Sequence, residues 1–226
     1  NVFDAVIVDE AQDLLVENYI LVLDELLRGG LDDGQWAFFL DGNQSIFESS
    51  TGSVSSQLMS YGPSRHRLKY NCRNTTATAR LANVLSGYET GIPRAEGPEL
   101  DPMWYQDANH EVRQISNLVN RWLSEGIKPY EIIVLSHRKL ERTSLANGLS
   151  DSVPFKLYDW TDDEHPPPHD VIKYSTTQSF KGLESKMVVI AGIDYLRHPE
   201  RQRISEIHHI SATRSTGVTV ASISEE

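Results

Sequence analysis

Val6-Ile7-Val8-Asp9-Glu10-Ala11-Gln12-Asp13 places an apolar run directly against a pair of acids. An apolar run with β-branched members reads as a buried parallel strand. Acids at the carboxyl end of such a strand stand where open α/β sheets bind their ligands. At that place a first carboxylate can hold Mg²⁺ and a second can polarise an attacking water, the arrangement of P-loop nucleotide hydrolases. A strand that merely ends in solvated acids has the same local appearance, so the pair gains meaning only from its company downstream in the chain.

Three further stretches combine polar residues suited to phosphate chemistry. Leu40-Asp41-Gly42-Asn43-Gln44-Ser45-Ile46-Phe47 follows the apolar run Trp36–Leu40, and Leu68-Lys69-Tyr70-Asn71-Cys72-Arg73-Asn74-Thr75 opens a second region. Ser175-Thr176-Thr177-Gln178-Ser179-Phe180-Lys181-Gly182-Leu183-Glu184 and, last, His209-Ile210-Ser211-Ala212-Thr213-Arg214-Ser215 complete the set. Arginine suits phosphate because its planar fork stays charged and meets two oxygens at once. A glutamine amide can orient a water without changing the charge of the site. Tyr70 reads as core, and Phe47 as either a base-stacking side chain or a packing residue. His165-Pro-Pro-Pro-His169 has two histidines but no cysteine cluster, which favours a solvated, proline-stiffened loop over a metal site.

Taken in order, these blocks resemble the later motifs of the UvrD/Rep-type superfamily 1 DNA helicases, and the resemblance spans nearly the whole chain. It implies a RecA-like α/β fold of the P-loop NTPase type, ATP and Mg²⁺ as cofactors, and single-stranded DNA as partner. Asp9 matches the family's Mg²⁺-holding acid, Glu10 its water-activating acid, and Gln44 the glutamine near the γ-phosphate. Arg73 and Arg214 match two arginines that reach the nucleotide, Arg214 as the arginine finger. Gly182 and Glu184 lie in the Lys-Gly-Leu-Glu stretch, whose carboxylate sits near the ribose. Phe47, Thr176, Thr177 and Thr213 match positions at or beside the DNA. The phosphate-cradling Gly-x-x-x-x-Gly-Lys-Ser/Thr is absent. The family carries it upstream of the Asp-Glu strand, so the chain reads as a C-terminal portion of a longer protein. It also opens on Asn1 rather than Met. Glu48-Ser49-Ser50 stands where the family usually has a DNA-stacking tryptophan, and Gln178 where it often has histidine.

The elements that must position these residues emerge from periodicity. The pattern predicts strands at 4–9, 36–40, 68–70, 103–105, 131–136, 155–158, 171–175, 186–190 and 217–221. It predicts helices at about 13–28, 75–85, 109–124, 140–149 and 200–210. Alternating strands and helices imply a mostly parallel sheet with helices on both faces. The Ser- and Gly-rich stretch 48–66 is the expected boundary. Residues 1–60 would be the end of a first RecA-like domain, and 61–226 a complete second one.

Charge supports that division. The net charge is −11, and residues 1–60 carry eleven acids against one base, leaving 21 acids and 20 bases elsewhere. This excludes a broadly basic nucleic-acid surface but allows a local basic groove. One cysteine, Cys72, excludes an internal disulfide and suits a reducing, cytoplasmic setting. No run is long and apolar enough for a membrane span. The expected activity is that of an ATP-dependent helicase or translocase, inactive as this piece alone. The alternatives are a nucleic-acid-stimulated ATPase switch within a larger defence or repair machine, and a degenerate binding module.

Overall fold

The computed structural model describes residues 2–14, 17–41, 51–99, 101–146, 156–163, 165–194 and 201–225. Two compact units divide the chain, Asn1–Leu68 and Lys69–Glu226.

In the first unit, strand β1 (Ala5–Val8) pairs in parallel with β2 (Gln35–Phe38), Val6 lying opposite Trp36 and Val8 opposite Phe38. Helix α1 (Glu17–Leu26) makes the crossover, and the short α2 (Gly30–Asp33) follows Gly29, whose φ of +84° ends the preceding segment. The periodic segment begins with a 3-10 turn, Ala11–Asp13, so the regular helix is shorter than its apolar pattern. Residues 51–60 form helix α3 despite their serines and glycine. Its Leu58 is buried with Ile20, Leu27 and Leu31, and tertiary contact overrides the weak local propensity. Ile7 on β1 remains 75% exposed, and Phe39 and Leu40 beyond β2 are also exposed.

In the second unit, six strands form one all-parallel sheet in the order β5-β10-β9-β6-β8-β7. They are β5 (Met103–Tyr105), β6 (Ile132–Ser136), β7 (Leu157–Asp159), β8 (Ile172–Thr176), β9 (Ser185–Ile193) and β10 (Ser215–Ser224). Alternation along β6 shows why both faces are covered. Ile132 and Val134 face Ile115, Val119 and Trp122 of α5 (Ala108–Ser124), while Ile133 and Leu135 face the side of Ala82 and Leu85 on α4 (Thr76–Ser86). Ala212, from α6 (Arg201–Thr213), joins that second face. The α/β parallel sheet with helices on both faces is therefore present. Asp107 caps α5 by accepting from the His110 N–H at 2.8 Å, and Thr75 caps α4 by accepting from Thr78 N–H at 3.3 Å.

Two local expectations change. Residues 70–75 form a longer strand, β3, paired in parallel with β4 (Ile92–Ala95) as a separate ribbon. Pro93 hides β4 from sequence patterning, because a proline in a strand is tolerated only at an edge or irregular pairing. A 3-10 turn, Leu140–Arg142, replaces the start of the helix expected from Leu140. The Thr143 hydroxyl donates to Leu140 O at 2.7 Å and accepts from Leu145 N–H at 3.3 Å, an alternative to helical bonding.

Candidate functional site

At the carboxyl end of β1, the Glu10 N–H donates to Asp9 Oδ1 at 2.9 Å, and Glu10 takes a left-handed backbone, φ +50°. Glu10 is the sole non-glycine residue with positive φ among the described residues. Such a conformation costs of order 1 kcal/mol and concentrates at functional positions. Gln12, buried, binds both ends of the local frame. Its Nε2 donates to Glu10 Oε2, and its Oε1 accepts from Asp41 N–H at 3.0 Å. Ala11 N–H also donates to Phe39 O at 2.8 Å, so the segments beyond β1 and β2 are cross-linked. Sequence does not single Gln12 out; only its burial beside the acids, at 6% exposure, reveals it. Among the described residues no three metal-ligating side chains cluster. The exposed Asp9 and half-buried Glu10 nevertheless suit Mg²⁺, which takes one or two carboxylates and completes its shell with phosphate oxygens and water. Gln44 and Phe47 lie outside the described residues.

In the second unit, three blocks far apart in the chain come together. Asn71 Oδ1 accepts from Arg73 N–H at 3.1 Å and Asn74 N–H at 2.9 Å, a tight turn that fixes both residues. Arg73 projects outward and pairs with Glu184, Nε to Oε2 at 3.2 Å. Both side chains are about half exposed, so the pair orients more than it stabilises. Glu184 reaches that position through the turn at Gly182, whose φ of +84° is strained for any side chain even though a Cβ there would meet open space.

Arg214 differs. It is 1% exposed, at the junction of α6 and β10. Its carbonyl accepts from Ser185 N–H at 3.0 Å. Asn74 Nδ2 donates to the carbonyls on either side, Thr213 O at 3.0 Å and Ser215 O at 2.7 Å. The three threonines are buried as well. Thr176 Oγ1 accepts from Ser179 N–H at 3.2 Å, Thr177 Oγ1 lies 2.6 Å from Ser211 Oγ, and Thr213 Oγ1 donates to His209 O at 2.9 Å. Tyr70, expected in the core, is exposed instead, and the Arg94 guanidinium stacks 4.1 Å above its ring. A cation–π contact at such an exposed site is worth about 0.5–1 kcal/mol.

A cleft of about 430 Å³ opens at the carboxyl ends of β6 and β8. His137, Arg138, Lys139 and Arg142 line it on one side, with Thr176, Gln178 and Ser179 on the other. Arg138 pairs with Asp194 at 2.5 Å and Lys139 with Asp162 at 2.7 Å. His-Arg-Lys-x-x-Arg directly after an apolar strand is a legible signal in sequence, masked by the acidity of the chain as a whole. Close by in the fold, burial and the neighbouring His137 push the His208 imidazole down to about 4, against the pull of Asp194, so His208 is neutral at physiological pH. His165 is exposed, and His169 packs edge-on to Tyr130, 5.1 Å between ring centroids.

No known family profile matches the sequence, and no curated protein matches it. Solved structures do match. The C-terminal domain of a possible DNA helicase from Lactobacillus plantarum WCFS1 superposes with a TM-score of 0.53 at 12% identity, covering 68% of this chain and 87% of that domain. The chain therefore shares the fold of that domain, a parallel α/β sheet with helices on both faces. Saccharomyces cerevisiae Dbp5, bound to RNA and ADP-BeF3, gives a TM-score of 0.47 at 13% identity over 98% of this chain, which spans about half (53%) of that protein. Among the described residues, no helix is long and apolar enough to cross a membrane.

Proposed function

We propose that this chain is the C-terminal portion of a UvrD/Rep-type ATP-dependent helicase or translocase that moves on single-stranded DNA. The observation that carries the proposal is the convergence of Arg73, Glu184 and the Asn74-held Arg214 at the amino ends of β9 and β10 in a helicase-like parallel sheet. Pairing of β9 with β10 already sets Ser185 beside Ser215, and a shared nucleotide would explain why the Arg73 block is brought to the same place. ATP, when bound with Mg²⁺, supplies the phosphoanhydride bond whose hydrolysis drives motion. Asp9 would hold the metal, and Glu10, with its backbone set by the strained turn, would accept a proton from the attacking water. Gln44 would orient that water. Arg73 and Arg214 would neutralise phosphate charge, and Glu184 would accept from ribose hydroxyls. The cleft bearing Arg138, Lys139 and Arg142, beside Thr176, would take the nucleic-acid backbone, with Thr177, Thr213 and Phe47 in supporting roles.

Unit 1 supports the reading that a longer first domain exists. A two-stranded sheet is marginal alone, and parallel strands are ordinarily buried on both faces. Here Ile7, Phe39 and Leu40 present apolar surface. Residues 1–60 would then be the end of a first RecA-like domain and 61–226 the second.

The test is ATP turnover and strand displacement by the full-length protein carrying a phosphate loop, with Asp9→Asn and Glu10→Gln as controls. DNA-stimulated turnover of about 1 s⁻¹ or more, lost in both variants, is expected. Turnover without translocation would mark an ATPase switch, and no turnover at all would sink the proposal. The 226-residue chain alone is expected to be inactive, because it lacks the backbone cradle and lysine that anchor the β- and γ-phosphates.

A further inference from the structure

We propose that Asn74 is a positioning residue, a buried amide clamp that fixes the backbone around Arg214 and ties it to Arg73. Asn74 is 3% exposed, and every polar atom of its side chain is used. Both hydrogens of Nδ2 go to carbonyls of the Arg214 segment, at 3.0 and 2.7 Å, across 139 and 141 residues of chain. Oδ1 accepts from Asn71 Nδ2 at 2.9 Å. With Ser185 N–H on the carbonyl of Arg214 itself, the three successive carbonyls 213, 214 and 215 each accept from a donor outside the segment.

The residue type is dictated by that geometry. Thr213 ends α6, and carbonyls at a helix C-terminus have no intrahelical donor. In a buried place they need protein partners. A carboxamide offers two donors in one neutral plane, which serine, with one donor, and aspartate, with none, do not. A lysine or arginine would bring an extra charge into the interior. The link to Arg73 runs through Asn71, whose Oδ1 holds the N–H groups of Arg73 and Asn74 together. Arg73 and Arg214 therefore share one hydrogen-bonded frame, in which Arg214 moves by side-chain torsion and not by backbone shift. A misplacement of about 1 Å at a reacting group can cost on the order of a hundredfold in rate, so fixing this segment has catalytic leverage.

The catalytic consequence rests on the proposed ATPase; the clamp itself does not, and two measurements keep them apart. The first is amide hydrogen exchange on the 226-residue chain, wild type against Asn74→Ala and Asn74→Asp. Loss of two hydrogen bonds is worth roughly a factor of 30 in a local opening equilibrium. The Ser185 and Arg214 amides should exchange faster by that order, and those in mid-β9, such as Val189, should not. Aspartate should be at least as damaging as alanine, since it sets an anion against two carbonyls. Asn74→Ser, keeping one donor, should be intermediate and serves if the other two fold poorly. Unchanged exchange at Ser185 and Arg214 overturns the clamp. The second is kinetics of the full-length protein. Asn74→Ala should lower kcat about tenfold or more with the KM for ATP moved less than about threefold. Combined with Arg214→Ala, it should be no slower than Arg214→Ala alone. Multiplicative losses in the double variant would show that Asn74 does not act through Arg214. A full-length wild type without ATP turnover removes the proposed function and leaves the clamp to be judged by exchange.

Discussion

Replacing Lys173 with methionine is expected to stabilise the protein at neutral pH. Lys173 is on β8, 8% exposed, between Ile133 and Tyr158 of the neighbouring strands, and among the described residues its Nζ reaches only Ser185 Oγ, at 3.4 Å. Ser185 Oγ is itself committed to Glu131 O at 2.9 Å. Burial pushes the ammonium down from 10.5 to about 8. A depression of that size corresponds to roughly 3 kcal/mol spent on holding the charge in the native state, and relaxation around the site reduces the realisable gain to about 2 kcal/mol. Below pH 8 both folded and unfolded lysine are protonated, so the full cost is present. Between about pH 8 and 10.5 the folded protein releases the proton first, the unfolded state binds more protons, and stability rises with pH. Methionine has similar length and no charge, so Lys173→Met should raise Tm at pH 7 by roughly 5 °C for a unit of this size. Its advantage over wild type should shrink steadily through the same pH window. Denaturant titrations of both proteins at pH 7, 8, 9 and 10 measure this difference, and the raised phenol of Tyr105, at about 12, cancels between them. A Lys173→Met protein that is less stable at pH 7, or an advantage independent of pH, would refute the argument from burial.

Three further outcomes are expected from the same geometry. In the full-length protein, Arg214→Ala should lower kcat by a hundredfold or more, in keeping with the ~10³–10⁵ of arginine fingers, while nucleotide Kd changes little; because the side chain is buried, Tm should fall too, and a normal kcat would remove Arg214 from the site. Glu10→Asn should be about 0.5–1 kcal/mol more stable than Glu10→Ala, since both lose the bond from Gln12 and only asparagine tolerates the left-handed backbone at φ +50°, and both should end ATP turnover; an Asn variant no more stable than the Ala variant in calorimetry would contradict the strain assigned to Glu10. Limited trypsin should cut first after Arg65, Arg67 or Lys69, which are exposed in a stretch without helix or strand, and initial cleavage after Arg138 or Lys139 would count against that.

The periodic part of this protein is open to reading from its sequence alone. Alternation at Ile132–Leu135 and the helical spacing of Val112, Ile115, Leu118 and Val119 specify elements and their buried faces, because both depend on local backbone geometry. The place of Asp9 and Glu10 just beyond a strand is legible for the same reason, since a strand end is a local event. What tertiary structure decided was everything carried by hydrogen bonds between distant segments. Asn74 looks like an ordinary polar residue in a turn until its amide is seen to meet two carbonyls some 140 residues away, and a carbonyl leaves no mark on sequence. Glu111, in the first turn of α5, similarly became a buried anchor, accepting from Gly192 N–H, Ser144 and Ser222 at 2.7–3.0 Å. Arg214 is the sharpest case. Its type and neighbours implied a group facing phosphate, and only the packing of α6 against the sheet determined that its side chain is enclosed, because burial depends on what the rest of the chain brings to that place.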